Sequence, residues 1–260
     1  MRIARFTAAG QTPLFGVLAG DPDGPDATIT ALAGFPLPPF ELTSIRIPLA
    51  EVRLLQPVVP SKIVAFGKNY AAHAAEMGGP APDDPVLFLK PSTSAIGPDD
   101  QIKLPGLSQE VHHEAELAVV IGAVVRSVPV ERALETVLGY TCANDVTARD
   151  LQRLDGQWAR AKGFDTFCPL GPWIETELDP SALALECRVN GELRQAGSTS
   201  DLLRGVAELI AYASAVMTLL PGDVLLTGTP AGVGPIKAGD RVDVTIEGIG
   251  TLSNEVVDRD

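Results

Sequence analysis

A strand-rich α+β fold is what this sequence predicts, and three observations carry the prediction. Short apolar segments bounded by turn residues outnumber the segments with helical periodicity. The two kinds of segment do not alternate strictly, which disfavours a Rossmann fold or a β/α barrel. The Asn190-Gly191 pair between two apolar runs predicts a two-residue β-hairpin. The 260 residues are enough for one sizeable domain with a small appendage.

The N-terminal part of the chain predicts a small domain of short strands. Strands are expected at 2–7, 13–18 and 28–32, and Pro36, Pro38 and Pro39 close the region. We therefore predict a β-rich N-terminal domain over residues 1–56 and a larger domain over residues 57–260.

The larger domain is predicted to contain eight strands and three helices. The strands are expected at 63–66, 86–89, 116–121, 183–189, 192–195, 224–227, 241–246 and 250–256. The helices are expected at 129–138, 146–154 and 201–219. Ser200 is a plausible N-cap for the last helix, and Pro221-Gly222 stops it.

Composition excludes several classes of function. The formal net charge of −13 argues against nucleic-acid binding, because phosphate recognition relies on basic patches. The first residues lack the apolar core of a signal peptide, and no apolar run approaches the ~20 residues that span a bilayer. The three cysteines show no CxxC spacing, so we expect buried thiols and a reducing compartment. A cytoplasmic protein without a membrane or nucleic-acid partner is the expectation.

Two carboxylates occur on one face of an otherwise apolar strand. Because side chains alternate along a strand, Glu114 and Glu116 project from the same side. A divalent cation explains such a pair, and carboxylate ligands favour hard ions such as Mg²⁺, Mn²⁺ or Ca²⁺. The alternative is a solvated polar face on an edge strand, which the residues alone leave open.

A second polar pair precedes these carboxylates. His73 and Glu76 lie three residues apart, which places both side chains on one face of a helical turn. A carboxylate beside an imidazole fixes its tautomer and raises its basicity, as a base that activates water requires. An incidental surface pair is the alternative. Residues 71–85 are rich in Gly and Pro, so we expect a mobile lid that brings the pair to the site only when substrate closes it.

The order and spacing of six motifs resemble the fumarylacetoacetate hydrolase family over roughly residues 60–256. The motifs are FGKNYAAHAAEM, FLKPSTSAIG, HHEAELAVVIG, GYTCANDVTARDLQ, QWARAKGFDTFCPLGP and GDVLLTGTPAGVGP. The resemblance implies a rolled mixed β-sandwich for the larger domain. It also suggests a homodimer built from that domain.

The resemblance implies roles for residues around the acidic pair. Asp145 would be the third metal ligand, and Arg149 and Gln152 would face the substrate's carboxylate; Arg suits that task because its planar fork binds a carboxylate bidentately. A simple Asp145–Arg149 helix pair is the alternative. Lys162 would face the ion and the substrate, where a cation stabilises an enolate.

Three further positions complete the predicted site. Lys90 would hold a second oxygen or a carboxylate of the active site, with an ordinary lysine at a strand end as the alternative. Gly228 and Thr229 would offer backbone or hydroxyl contacts to substrate oxygens, since the segment lacks the residues of a phosphate-binding loop. His112 and His113 are left out of the ligand set, because the family's ligands are two Glu and one Asp.

These parts predict a divalent-metal-dependent enzyme that acts on a small 2-oxo acid. The substrate would chelate Mg²⁺ or Mn²⁺ through its carboxylate and keto oxygens, and Ca²⁺ would be acceptable in a crystal. We expect hydrolysis of a carbon–carbon bond in a 2,4-dioxo acid, with His73 and Glu76 activating water. Oxaloacetate decarboxylation and isomerisation of 2-hydroxyhepta-2,4-diene-1,7-dioate need the same electron sink and stay open. A small-molecule binding module with a structural ion is the non-enzymatic alternative.

Overall fold

Five strands near the N-terminus form an antiparallel arrangement that joins the main sheet. They are β1 (Arg2–Ala8), β2 (Leu14–Ala19), β3 (Thr28–Leu32), β4 (Leu42–Pro48) and β5 (Val52–Leu55). The structure, a computed structural model, describes residues 1–8, 12–80 and 82–258. The three predicted N-terminal strands are confirmed. β4 escaped prediction because most of its side chains are exposed, so it has no apolar alternation.

The predicted boundary at residue 56 follows β5, but the sheet does not stop there. Strand β14 (Cys168–Glu175) pairs with β1, with Arg2 opposite Glu175 and Ile3 opposite Ile174. The N-terminal strands therefore extend the same sheet that holds the later part of the chain.

The remaining strands follow in chain order. They are β6 (Ile63–Gly67), β7 (Val86–Lys90), β8 (Ala95–Ile96), β9 (Ile102–Leu104), β10 (Val111–His113), β11 (Ala115–Ile121), β12 (Val137–Asn144), β13 (Thr147–Ala148), β15 (Ala184–Val189), β16 (Glu192–Ser198), β17 (Val224–Leu226), β18 (Gly234–Pro235), β19 (Arg241–Ile246) and β20 (Gly250–Asp258). Asn190 and Gly191, with φ of 54° and 80°, form the predicted turn between β15 and β16.

Within the described residues the strands form three sheets. A twelve-stranded sheet runs β4-β3-β2-β1-β14-β12-β11-β17-β6-β7, with β5 beside β1 and β8 beside β14. A five-stranded sheet runs β16-β15-β19-β20-β9, and a three-stranded one runs β13-β10-β18. Parallel pairs such as β17 with β6 and β20 with β9 occur among antiparallel ones. The predicted β-rich α+β class with mixed sheets is confirmed.

Five short helices connect the strands in the described part of the chain. They are α1 (Ala71–Glu76), α2 (Val130–Ala133), α3 (Arg149–Asp155), α4 (Ala159–Lys162) and α5 (Val206–Val216). The predicted helix at 129–138 is wrong at its end, because residues from Val137 enter β12. The predicted N-cap Ser200 is also wrong. The chain is extended at Leu202, so the helix does not begin at Ser200. Gly205 directly precedes α5, and its N–H donates to the Glu208 side chain.

Strand β11 lies at the centre of the twelve-stranded sheet, between β12 and β17, and all seven of its residues are buried. Leu117 and Val119 pack into a core shared with the five-stranded sheet, whereas Ala118 and Val120 pack into a second core on the opposite face. The alternative of a solvated edge strand is therefore wrong. The three cysteines are buried and free. No helix in the described ranges is long and apolar enough to cross a membrane.

Candidate metal centre and active site

Two neighbouring strands bring three carboxylates together. Glu114 links β10 to β11, Glu116 lies in β11, and Asp145 directly follows β12. The antiparallel register places Ala115 opposite Asn144, and the Asp145 N–H donates to the Glu114 carbonyl over 2.8 Å. One oxygen from each carboxylate lies within 4.8 Å of the others, and all three residues are buried. Oxygen ligands at this spacing fit a divalent ion.

The electrostatics of the triad leave one carboxylate without a charged partner. Burial, together with Asp145 and Glu114, raises the pKa of Glu116 well above its usual range. Its Oε2 accepts from the Gly228 N–H over 2.6 Å, and no cation pairs with it among the described residues. A divalent ion would supply the missing positive charge, so the donor set fits a metal.

Three buried cations form ion pairs with the other two carboxylates, Glu114 and Asp145. Lys162 Nζ donates to Glu114 Oε2 over 2.8 Å and to Asp145 Oδ2 over 2.6 Å. Arg149 Nη2 donates to Glu114 Oε1. Burial alone would raise the pKa of Glu114, but Arg149 and Lys162 outweigh it and hold that pKa below its usual range. Lys90 Nζ donates to Asp145 Oδ1 over 2.5 Å.

Lys90 and Gly228 each contact a carboxylate of the triad, which is one of the two roles considered for Lys90. Lys90 is buried behind Asp145 and is not among the described residues that line the cavity. The Gly228 N–H is directed at Glu116. Each therefore acts on a carboxylate of the triad. Thr229 does line the cavity, while its hydroxyl donates to the Ala115 carbonyl over 2.8 Å.

The residues predicted to face the substrate's carboxylate lie side by side on α3. Arg149 Nη1 donates to Gln152 Oε1 over 2.7 Å, and both residues line the cavity. The alternative Asp145–Arg149 helix pair is wrong, because Arg149 pairs with Glu114. Arg149 thus connects the triad to the wall on which Gln152 lies.

Helix α1 carries the predicted base to the same cavity. His73 Nδ1 donates to Glu76 Oε2 over 3.0 Å, and His73 is 5% exposed. The second carboxylate oxygen of Glu76, Oε1, accepts from the Gly232 N–H over 3.0 Å. The structure differs from the expectation of entry on closure, since these bonds already hold His73 on the cavity wall. Residue 81 of the predicted lid lies outside the described residues.

A cavity of about 180 Å³ is lined by residues of the triad, of α3 and of α1. Its charged side holds Glu114, Glu116, Arg149 and Lys162, and its apolar side includes Phe66, Met77 and Trp158. A Cβ at Gly67 would lie 2.4 Å from the Trp158 ring, so only glycine permits this close approach.

Sequence reasoning missed three residues of the site. Lys68 lines the cavity with a left-handed φ of 57° and has no ion-pair partner among the described residues. Asn144 Oδ1 accepts from the Glu114 N–H over 2.9 Å. Gln195 contacts Ala115 and Thr229 from another sheet. Lys68 and Asn144 lie inside the quoted motifs, whereas Gln195 has no local signal.

Residues 62–257 match the family model described as fumarylacetoacetate (FAA) hydrolase C-terminal. The chain belongs to the fumarylacetoacetate hydrolase family. Residues 1–57 match a second model, described as Rv2993c-like, N-terminal. Proteins similar to this chain include a hydrolase, an isomerase and a tautomerase, so the family contains enzymes with more than one reaction outcome.

Two curated relatives span most of the chain. Protein Rv2993c of Mycobacterium tuberculosis is 52% identical, covering 99% of this chain and 98% of its own length. The human mitochondrial oxaloacetate tautomerase FAHD2A is 46% identical, covering 81% of this chain and 71% of its own.

Two solved structures superpose over the whole chain. The 5-carboxymethyl-2-hydroxymuconate delta-isomerase of Mycobacterium smegmatis has a TM-score of 0.94 at 55% identity, covering 100% of both chains. The maleylpyruvate hydrolase of Sphingobium sp. SYK-6, in complex with manganese(II) and pyruvate, has a TM-score of 0.81 at 37% identity, covering 100% of both chains. The family therefore includes a protein that binds a divalent metal with a 2-oxo acid.

Proposed function

We propose that this protein is a divalent-metal-dependent enzyme that forms an enolate from a 2-oxo acid carrying a second carboxylate. The observation that carries the proposal is that Glu114 and Glu116, two members of the buried triad completed by Asp145, line the same cavity as His73, whose Nδ1 is held by Glu76. Mg²⁺ or Mn²⁺ is the proposed ion, because all three ligands are carboxylates. Bound there, the ion would polarise the 2-oxo group and stabilise the enolate.

His73 is the group that moves the proton. Because Nδ1 donates to the Glu76 carboxylate, the unprotonated nitrogen is Nε2, the nitrogen a base uses. It takes a proton from the carbon beside the 2-oxo group, and Glu76 stabilises the imidazolium that forms.

The cations of the cavity bind and orient the substrate. The Lys162 ammonium adds positive charge beside the triad, where negative charge develops on the substrate oxygen. Arg149 and Gln152 orient the first carboxylate. Lys68, which has no ion-pair partner among the described residues, binds the second carboxylate.

Proton transfer, as tautomerisation or isomerisation, is the first candidate outcome. The relatives named tautomerase and isomerase are 46% and 55% identical to this chain. Both named reactions move a proton next to an enolate and need no attacking water. The base and the electron sink described above are sufficient for this outcome.

Hydrolysis of a carbon–carbon bond in a 2,4-dioxo acid is the second candidate. The maleylpyruvate hydrolase matches the whole chain at a lower identity of 37%. In this reaction His73 would deprotonate water rather than carbon. Decarboxylation of oxaloacetate would use the same enolate with no nucleophile.

Deuterium exchange at C3 tests enolate formation by proton transfer, the step of the first candidate outcome. The C3 protons of 2-oxo acids are followed by ¹H NMR in D₂O with Mg²⁺, with Mn²⁺ and with EDTA. We expect exchange that requires metal and is lost in His73→Ala. A panel of oxaloacetate, an acylpyruvate and an unsaturated hydroxy-diacid then separates the outcomes. Absence of metal-dependent exchange or turnover with every member of the panel would refute the proposal.

A further inference from the structure

The amide of Gln195 has all of its hydrogen-bonding groups engaged at the metal centre. Gln195 is 1% exposed and lies on β16 of the five-stranded sheet. Its Oε1 accepts from the Ala115 N–H and from His113 Nδ1, each over 3.0 Å. Its Nε2 donates to Thr229 Oγ1 over 2.7 Å and to the Pro230 carbonyl over 2.8 Å. A primary amide has no further capacity.

The orientation of this amide follows from its backbone partners. The Ala115 N–H is only a donor and the Pro230 carbonyl is only an acceptor, so Oε1 and Nε2 cannot be exchanged. His113 must therefore carry its proton on Nδ1. Thr229 must accept from Gln195 and give its own proton to the Ala115 carbonyl.

The Gln195 amide forms a hydrogen bond with the backbone of strand β11 beyond the point where the neighbouring strand β17 stops pairing with β11. The pairing between the two strands covers Ala118 to Val120, and the Thr227 N–H still donates to Leu117. The chain then leaves the sheet, and the Gly228 N–H reaches the Glu116 carboxylate. This departure leaves the backbone of Ala115 with no strand on that side.

Gln195 and Thr229 occupy the place of the missing strand. The Gln195 amide oxygen accepts from the Ala115 N–H, and the Thr229 hydroxyl donates to the Ala115 carbonyl. Ala115 is the residue between Glu114 and Glu116. The position of its backbone therefore sets how far apart the two carboxylates stand.

We propose that Gln195 is a positioning residue of the metal centre. It joins the backbone between Glu114 and Glu116 to the loop that carries Gly228, and so fixes the two carboxylates at the spacing that an ion requires. It acts through Ala115 and Thr229 and does not line the cavity. The inference rests on the proposed function, because this spacing matters only if the triad binds an ion. Loss of a group that orients metal ligands typically weakens metal binding ~10–100-fold.

Binding of Mn²⁺ alone tests the role without reference to activity. Gln195→Met keeps the size of the side chain and removes the four hydrogen bonds. Asn254→Leu is the matched control, because Asn254 is also buried in the five-stranded sheet and donates to Gly97 and Asp100 backbone carbonyls. Titration of free Mn²⁺ by electron paramagnetic resonance gives the Kd, and thermal melting in EDTA gives the stability of each variant.

We expect both variants to melt at lower temperature, whereas only Gln195→Met weakens Mn²⁺ binding, by ~10–100-fold. The Mn²⁺ affinity of Asn254→Leu should stay within about twofold of the wild type, because Asn254 and the triad share no hydrogen-bond partner among the described residues, and sites without shared partners act independently. If Gln195→Met does not fold, Thr229→Val and its control Thr229→Ser carry the test. Valine removes the hydroxyl that binds Ala115 and should weaken Mn²⁺ binding, whereas serine retains it.

Three results would contradict the inference. If Gln195→Met binds Mn²⁺ with wild-type affinity, the positioning role of Gln195 is wrong and the proposed function is unaffected. The same holds for Thr229→Val where Gln195→Met does not fold. Equal weakening in Asn254→Leu would show that the effect follows general stability and would also overturn it. Absence of Mn²⁺ binding by the wild type would overturn the proposed function, and this inference with it.

Discussion

Replacing Glu76 with glutamine separates two tasks that its carboxylate performs at once. One oxygen accepts from His73 Nδ1 and the other accepts from the Gly232 N–H. Glutamine offers one acceptor and one donor, so it satisfies only one of these two N–H groups. If its oxygen stays on Gly232, its NH₂ faces His73 and forces the proton onto Nε2. If its oxygen turns to His73, its NH₂ opposes the Gly232 N–H and the contact between helix and loop is lost.

The two arrangements predict losses of different size. Placing the proton on Nε2 removes the base, which costs ~10²–10⁴-fold in rate, or about 3–5 kcal/mol. Losing the contact to Gly232 removes one hydrogen bond near a side chain that is 33% exposed, worth about 1 kcal/mol, or roughly fivefold. We expect the larger loss, because the Gly232 N–H is a fixed backbone donor whereas the proton of His73 can change nitrogen.

The assay is kcat/KM for a 2-oxo acid of the panel together with the rate of C3 deuterium exchange. Glu76→Gln should lower both by the same factor of at least ~10² while Mn²⁺ affinity is unchanged, because Glu76 lies outside the proposed ligand set. A loss of only about fivefold in kcat/KM would mean that Glu76 serves only to connect the helix to the Gly232 loop. Exchange at the wild-type rate would refute its support of His73.

Three further predictions concern the same site, and a fourth concerns the oligomeric state. Glu116→Ala should abolish stoichiometric Mn²⁺ binding and metal-dependent activity, and retained stoichiometry would remove Glu116 from the ligand set. His73→Ala should lower acylpyruvate hydrolysis by ~10²–10⁴-fold and oxaloacetate decarboxylation much less, so equal losses in kcat/KM would point to a general role in closure or proton transfer. Lys68→Met should raise the KM for a dicarboxylic 2-oxo acid roughly tenfold while the KM for pyruvate stays unchanged, and an equal change for both would exclude recognition of the second carboxylate. We propose a homodimer in solution, which light scattering at micromolar concentration tests and a monomeric mass would contradict.

The sequence identifies the triad well because its members lie on two strands that pair in register. Glu114 and Glu116 are recognised by alternation, and Asp145 follows the strand that faces them. The strand β12 itself was not predicted, because its small and polar residues gave no alternating pattern and its start was absorbed into a predicted helix. The motif therefore located Asp145 without the element that positions it.

Contacts over long sequence separation set the limit of sequence reasoning. Lys90 contacts Asp145 across 55 positions, and Gln195 reaches Ala115 across 80. Neither partner is visible from local periodicity, since the first pairing depends on the order of strands within the twelve-stranded sheet and the second on how two sheets pack. The apolar sequence around Lys90 identifies it as a residue of the site, but only the fold shows that it contacts Asp145.

The distribution of charge around the triad also distinguishes a catalytic ion from a structural one. Glu114 and Asp145 are already paired with Lys162, Arg149 and Lys90. Glu116 is the carboxylate whose raised pKa lets it become neutral by taking up a proton. Two of the three carboxylates are therefore held by buried cations that belong to the chain itself. This arrangement favours the enzyme over a binding module in which an ion is needed to hold the carboxylates together.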